Sequence, residues 1–128
     1  MKPGIAAEDL VGRFAETVET GDIDGMVALL TDDAWVTMPP LPHAYQGHDA
    51  IRAFLRGSAA RRGAPLRLVP TRANGQPAFG CYLCVSEKEA ARAYALFVLT
   101  LEGEQISAIT WFADSSLLPR FGLPRMLR

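Results

Sequence analysis

An imidazole and a phenol stand close together in a proline-rich segment, residues 37–47, which reads T-M-P-P-L-P-H-A-Y-Q-G. His43 and Tyr45 follow three prolines within four positions. Proline has no backbone N–H and a fixed φ, so this segment should end a strand and hold the next residues stiffly. We therefore predict that it forms the rim of a small-molecule pocket, with both side chains over the opening. The alternatives are that His43 is an exposed loop residue and that Tyr45 packs its ring on the following helix.

A second motif, C-Y-L-C, places Cys81 and Cys84 in an apolar run that is typical of a strand. Residues three apart in a strand are roughly 10 Å apart and point to opposite faces. A disulfide needs Cα atoms about 4.4–6.8 Å apart. A structural zinc ion needs four ligands, and no second Cys or His pair has suitable spacing. We predict two buried thiols and no metal.

Length and composition indicate one ordinary domain. The chain has 128 residues and a formal net charge of −1, which gives no general attraction to nucleic acid or to an anionic membrane. No apolar run approaches the length of a membrane span. We expect residues 1–7 to be a disordered lead, residues 8–128 to form a single domain, and the protein to be cytoplasmic.

Hydrophobic periodicity and turn signals predict helices first and strands afterwards. This order favours an α+β fold in which the helices pack on one face of a bent sheet. The predicted helices cover residues 8–20, 23–30 and 50–61, and the predicted strands cover residues 34–38, 66–72, 76–86, 90–101 and 105–112.

This order of elements comes with three recognisable segments. They are L-x-x-x-F-x-x-x-V at residues 10–18, G-D-I-D-G-M-V-A-L-L-T-D-D-A at residues 21–34 and Y-Q-G-H-D-A-I-R-A-F-L at residues 45–55. Together they resemble the SnoaL-like branch of the NTF2-like, ketosteroid-isomerase-like superfamily. The resemblance implies a cone, in which a curved antiparallel or mixed sheet wraps around about three N-terminal helices and leaves a central pocket.

A narrower resemblance rests on three further segments, M-P-P-L-P at residues 38–42, T-R-A-N-G-Q-P-A-F-G at residues 71–80 and L-P-R-F-G-L-P at residues 118–124. They are similar to the C-terminal SnoaL-like domain of extracytoplasmic-function (ECF) RNA polymerase sigma factors. In those proteins the domain follows the two sigma domains and is thought to act as a built-in regulator. Neither sigma domain is present in this sequence, so we expect no promoter recognition and no direct contact with nucleic acid.

The resemblance also suggests which residues could act on a ligand. Enzymes of the superfamily place a carboxylate base in the cone, and Asp114, just after the last predicted strand, is the best match; Tyr45 and His43 would assist it. The alternative is that Asp114 caps the turn at residues 115–116. Strand periodicity does not say which side chains face inward, because a shift of one residue exchanges the faces. The candidate ligand-lining residues are Trp35, Met38, Phe54, Tyr82, Tyr94 and Trp111.

Three functions remain open at this stage. We expect a regulatory domain, needing no cofactor, that binds a small apolar or amphipathic molecule or a partner such as sigma-factor domains or RNA polymerase. This predicts a mostly apolar cavity with one or two polar anchors. An isomerase, cyclase or epoxide hydrolase would instead need an inward-facing Asp114 with a second polar group nearby. An assembly domain would have a filled cone and would pair as a homodimer through its convex face.

Overall fold

The computed structural model describes residues 3–86 and 89–127, with side chains from residue 8 onward. Three helices precede most of a seven-stranded sheet. The helices are α1 (Pro3–Thr20), α2 (Ile23–Val27) and α3 (His48–Arg62), and a 3₁₀ helix covers Ser115–Phe121. The strands are β1 (Leu30–Thr37), β2 (Ala44–Gln46), β3 (Leu66–Ala73), β4 (Gln76–Leu83), β5 (Ala91–Glu102), β6 (Gln105–Phe112) and β7 (Met126–Leu127).

Local sequence explains how α2 and α3 begin and end. The Asp22 carboxylate accepts a hydrogen bond from the Gly25 N–H (2.9 Å), which satisfies one of the free donors at the start of α2. Gly47, at φ 88°, precedes α3, and Gly63, at φ 66°, ends it in the left-handed conformation that favours glycine. These caps fix the length of α3, which contributes two polar groups to the site described below.

The sheet order is β2-β1-β6-β5-β4-β3. The pairs along β3, β4, β5 and β6 are antiparallel, whereas β1 and β6 are parallel. β7 pairs with Ala91 and Arg92 of β5, beyond the part of β5 that pairs with β6. The sheet is therefore mixed, and the late strands β6 and β5 lie between β1 and β4, which come earlier in the chain.

Each face of the sheet is covered by a different part of the chain. The inner face packs on α1, α2 and α3 and forms a cluster, the inner cluster, that includes Phe14, Ile51, Phe97 and Trp111. The outer face packs against residues 115–127, which we name the C-terminal cover. Their shared hydrophobic cluster is the outer cluster, with members such as Tyr82, Leu96, Val98, Leu118 and Leu123.

The predicted α+β class and the predicted order of helices and long strands are confirmed, with differences at their ends. Helix α1 begins at Pro3, before the predicted start, while Met1 and Lys2 lie outside the described residues. Helix α2 is shorter than predicted because the chain joins the sheet at Leu30, and the Leu29 carbonyl already accepts from the Ile106 N–H at 2.9 Å.

Three short elements were not predicted: β2, the 3₁₀ helix as a complete element, and β7. Each has too few residues to show a period in the sequence. In the described part of the chain, we find no helix with the length and apolar character to cross a membrane.

Candidate ligand cavity

A small cavity lies between the helices and the inner face of the sheet. Its volume is about 50 Å³, enough for a few atoms and well below the roughly 300–1,000 Å³ of typical ligand pockets. It reaches from the turn at Gly21 past the C-terminal half of α3 to the sheet. Much of its wall is apolar and comes from Phe14, Val18, Met26, Phe97, Ile109 and Trp111.

Two polar side chains of α3 interrupt this apolar wall, Ser58 and Arg62. They are four residues apart and therefore lie on one face of the helix. Ser58 is 8% exposed, and Arg62 is half-buried. The Arg62 Nε donates a hydrogen bond to the Ala64 carbonyl oxygen (2.8 Å), which directs the side chain across the end of α3. The cavity therefore has an apolar interior with one cation and one hydroxyl group at its wall.

Trp111 adds a third polar group near the cavity. The residue is 4% exposed, and its indole N–H has no hydrogen-bond acceptor among the described residues. A buried donor without an acceptor lowers stability by about 1–3 kcal/mol. An acceptor atom brought next to this ring by a ligand would recover part of that loss.

A continuous series of aromatic contacts fills the interior next to the cavity. Tyr45 stacks on Phe54, with ring centroids 4.4 Å apart. Phe54 packs against Trp111 in a T-shaped arrangement, with ring centroids 5.5 Å apart. Trp111 in turn contacts Phe97 at 4.9 Å and Tyr94 at 6.5 Å. The structure thus brings together Tyr45, Phe54, Tyr94 and Trp111 from the predicted site. They fill space, and of the four only Trp111 lines the cavity.

The proline segment does not form the rim of this cavity. No residue between 37 and 47 contributes to its wall. The Met38 N–H donates to the His43 carbonyl oxygen (3.2 Å), closing a loop that leads into β2 and leaves His43 exposed. Tyr45 packs on α3, which was the alternative for this residue. The prolines follow the end of β1 as expected, but none of them borders the cavity.

Asp114 is placed as the cap of the 3₁₀ helix. Its carboxylate accepts hydrogen bonds from the Ser116 N–H (3.0 Å) and from the Ser116 hydroxyl (2.6 Å). These bonds to the charged form lower the pKa of Asp114 below its ordinary value, with a smaller contribution from the nearby charge of Arg120. The side chain is exposed and outside the cavity wall. A base that removes a proton from carbon needs a buried position and a raised pKa. Asp114 has neither property here.

The remaining predicted lining residues divide between the two faces of the sheet. Met38 packs against the inner cluster. Trp35 points away from it and is 43% exposed. Tyr82 lies in the outer cluster, where its hydroxyl donates to the Pro124 carbonyl oxygen at 2.6 Å. Trp35 and Tyr82 therefore leave the set of cavity residues, because the alternation along β1 and β4 turns them to the other face.

A β-bulge explains the position of Tyr94. The register between β4 and β5 shifts between the pairs Cys81–Ala95 and Tyr82–Ala93, which leaves Tyr94 as the extra residue. Tyr94 and Ala95 consequently both reach the inner cluster, while Ala93 faces the outer one.

The cysteines and histidines have structural environments. Cys81 and Cys84 are free thiols that belong to different clusters, and burial raises the pKa of Cys81 well above its ordinary value. The His48 Nε2 lies 3.1 Å from the carbonyl oxygens of Leu30 and Thr31, linking the start of α3 to β1. Within residues 3–86 and 89–127, no three His, Cys, Asp or Glu side chains converge as a metal site would require.

Sequence reasoning missed the two polar residues of the cavity, although α3 carried a signal for them. Ile51 and Leu55 start a stripe along one helix face that continues with Ser58 and Arg62. Polar residues that continue an apolar stripe are candidates for a site inside the core, but Arg62 also suits the end of a helix for electrostatic reasons.

Comparison with known proteins agrees with this architecture. The family model described as SnoaL-like domain matches residues 11–109. The ECF RNA polymerase sigma factor SigG of Mycobacterium tuberculosis is 35% identical over 122 residues; the match covers 94% of this chain and 32% of the sigma factor. The chain thus spans about a third of that relative.

Solved structures give the same fold. An NTF-2 like protein from Burkholderia xenovorans aligns with a TM-score of 0.67 and 12% identity, covering 86% of this chain and 84% of that chain. A protein from Kribbella flavida, provisionally named a ketosteroid isomerase, aligns with a TM-score of 0.65 and 16% identity, covering 85% and 78%. At such identities these two structures support the fold alone. The family match and the identity to the sigma factor go further: this chain belongs to the SnoaL-like family, has the NTF2-like fold, and is related to ECF sigma factors.

Proposed function

We propose that this chain is a regulatory domain that binds a small apolar or amphipathic molecule in the cavity between the three helices and the inner face of the sheet. The observation that carries the proposal is the composition of the cavity wall, which is mostly apolar and includes the polar side chains of Ser58 and Arg62. Ligand sites are commonly apolar with a few polar groups that orient the ligand. The enzyme alternative lacks such support, because its candidate base, Asp114, is an exposed cap.

The regulatory part of the proposal rests on the relative. SigG is described as an ECF RNA polymerase sigma factor, and the match covers 32% of it. We propose that this chain corresponds to the C-terminal domain of such a factor, acts in the cytoplasm, and contacts sigma-factor domains or RNA polymerase. Ligand binding regulates such a contact only if the ligand-bound and ligand-free forms have different affinities for the partner. With a typical coupling, we expect a difference of about fivefold or more.

Native mass spectrometry on protein purified from its own host tests whether the cavity is occupied. Ala59 lines the cavity, whereas its neighbour Ala60 is exposed on the same helix. Ala59→Leu should fill the space and abolish retention of a bound small molecule, and Ala60→Leu should retain it like the wild type. Circular dichroism checks that both variants fold.

Two results would contradict the proposal. One is an empty wild-type protein that also fails to take up small apolar molecules on addition. The other is retention of the same molecule by Ala59→Leu, which would place the binding site elsewhere.

A further inference from the structure

Arg62 differs from Arg52 and Arg56 of the same helix in how its charge is balanced. Arg52 forms ion pairs with Asp24 (3.0 Å) and Asp49 (3.3 Å), and Arg56 lies 3.5 Å from Asp24. Within the described ranges, no carboxylate forms an ion pair with Arg62. Its recorded hydrogen bond, to the Ala64 carbonyl, uses Nε and leaves the two terminal nitrogens of the guanidinium group for another acceptor.

Ser58 lies one helical turn away from Arg62 on the same face of α3. It is 8% exposed, and its hydroxyl makes no hydrogen bond to a side chain or backbone group in the part of the chain that the structure describes. The Ser58 hydroxyl is not among the fully enclosed polar atoms without a partner, so it keeps access to the cavity or to solvent and is free to bind a ligand there. Ser58 and Arg62 line the same cavity, so a single acceptor group placed there would satisfy both.

The positive charge of Arg62 also acts on the protein interior. Burial raises the pKa of the Cys81 thiol, and Arg62 acts in the opposite direction by favouring the thiolate. Cys81 is fully buried in the inner cluster. The charge of Arg62 therefore acts on a buried residue of the inner face of the sheet.

We infer that the natural ligand is an amphipathic carboxylate, whose carboxylate group binds the Arg62 guanidinium and the Ser58 hydroxyl while its apolar part lies against Phe14, Phe97 and Ile109. This inference rests on the proposed function and specifies its ligand class. Guanidinium and carboxylate groups match in a two-point, charge-assisted geometry, and a weakly hydrated guanidinium suits a half-buried site. A neutral apolar ligand would leave Arg62 and Ser58 as they are.

The size of the cavity limits how such a ligand enters. A volume of about 50 Å³ holds only part of an acyl chain. The turn at Gly21 and the end of α3 border the cavity, so a longer chain has to move these helix ends apart. Widening at the helix ends would then be the structural change that a partner domain could sense.

Hexanoate and hexan-1-ol are suitable probes, because they share a chain length and differ in charge. The two tryptophans give separate indole N–H signals in ¹⁵N-labelled protein, and Trp35→Phe assigns them. Hexanoate should shift the Trp111 signal in a saturable way and bind more tightly than hexan-1-ol. Arg62→Met should weaken hexanoate binding about tenfold or more, since a hydrogen bond to a charged group is lost, and leave hexan-1-ol binding unchanged.

Arg61→Met is the matched control. Arg61 is the exposed neighbour of Arg62 in the last turn of α3, so this variant removes the same charge outside the cavity. It should bind hexanoate within about twofold of the wild type, because salt screens exposed charges. If Arg62→Met does not fold, two other measurements test whether the ligand is a carboxylate. They are hexanoate binding by Arg62→Lys and the comparison of hexanoate with hexan-1-ol on the wild type.

The outcomes separate the ligand class from the proposed function. Equal binding of hexanoate and hexan-1-ol, or equal hexanoate binding by wild type and Arg62→Met, would overturn the carboxylate inference and leave the cavity as a binding site. No shift of the Trp111 signal with either probe would count against both.

Discussion

The two faces of the sheet are both buried, but they are buried in different ways. The inner face packs against three helices and keeps an unfilled space beside Ser58 and Arg62. The outer face is closed by the short C-terminal cover, which inserts Leu118 and Leu123 into the outer cluster. The two faces therefore differ in packing: the helical side retains a space beside two polar side chains, whereas the C-terminal cover fills the other side.

Main-chain hydrogen bonds hold the C-terminal cover in place. The Ala93 N–H donates to the Arg125 carbonyl oxygen (2.8 Å), and β7 pairs with β5. The Tyr82 hydroxyl donates to the carbonyl oxygen of Pro124. Gly80 allows the close approach, since a Cβ atom there would lie 2.5 Å from the Leu123 Cδ1. The cover is therefore fitted to this sheet and is not a loosely attached tail.

The C-terminal cover also bears on the expected homodimer. Pairing through the convex face would have to use the part of the outer face that the cover leaves open. Trp35, 43% exposed on β1 and aligned with Ala108 of β6, lies in that part. A homodimer thus remains a prediction, now restricted to the β1–β6 side of the outer face.

Removing the C-terminal cover tests the comparison most severely. A chain that ends at Ala113 should expose Leu96, Val98 and Tyr82 and should self-associate or precipitate, because a large contiguous apolar patch becomes accessible. Size-exclusion chromatography with light scattering measures this. A truncated chain that keeps the mass and melting temperature of the full chain would show that the outer face needs no cover.

A pair of leucines compares the faces at equal burial. Leu99 lies in the inner cluster and Leu118 in the outer one, and both are fully buried. Leu99→Ala and Leu118→Ala should each lower the free energy of unfolding by about 2–5 kcal/mol in urea titrations. Leu117→Ala, at a half-buried position in the same 3₁₀ helix, should lower it by less than about 1 kcal/mol.

The informative quantity is the difference between Leu118→Ala and Leu99→Ala in the loss of unfolding free energy. A Leu118→Ala effect as small as that of Leu117→Ala would mean that the C-terminal cover detaches at little cost. The two faces would then differ in how much they contribute to stability.

Substitution of Asp114 should have the smallest effect on stability, and it should act only on the 3₁₀ helix at the outer face of the sheet. Hydrogen bonds from Ser116 lower the pKa of Asp114 in the folded protein, so its contribution to stability is present above the unfolded pKa. This contribution disappears as the pH falls through the lowered, folded pKa. Asp114→Asn should therefore be slightly less stable than the wild type at neutral pH and equal to it in strong acid.

Ligand binding provides the second readout for Asp114→Asn. As an exposed cap outside the cavity, Asp114 should leave hexanoate binding unchanged. Loss of binding in this variant, with normal thermal stability, would return Asp114 to the site.

The sequence predicted the fold well because several independent signals agreed for the long elements. Strand β6 was predicted with its observed ends, and the caps at Gly47 and Gly63 marked the limits of α3. The faces of the strands were not predictable in the same way. Strand β4 is apolar on both sides, with Phe79 and Cys81 inward and Tyr82 outward, so its sequence shows no alternation between buried and exposed residues.

The candidate site was harder to predict because its residues follow from packing. The tyrosine and histidine of the proline segment had suggestive chemistry, but neither contributes to the cavity wall. A short bulge moved Tyr94 inward, and no local sequence signal marks such a shift. Arg62 and Ser58 became candidates only when the structure showed that both line a mostly apolar cavity.

The parallel pairing of β1 with β6 has a consequence for the way the chain is made. The ribosome synthesises β1 well before β6, but Leu30 of β1 pairs with Ile106 of β6. Contacts between such distant segments slow folding, since a long loop must close before they form. The edge of β1 that pairs with β6 therefore stays unpaired during translation of the segments between them. The domain can complete its sheet only once β6 has left the ribosome.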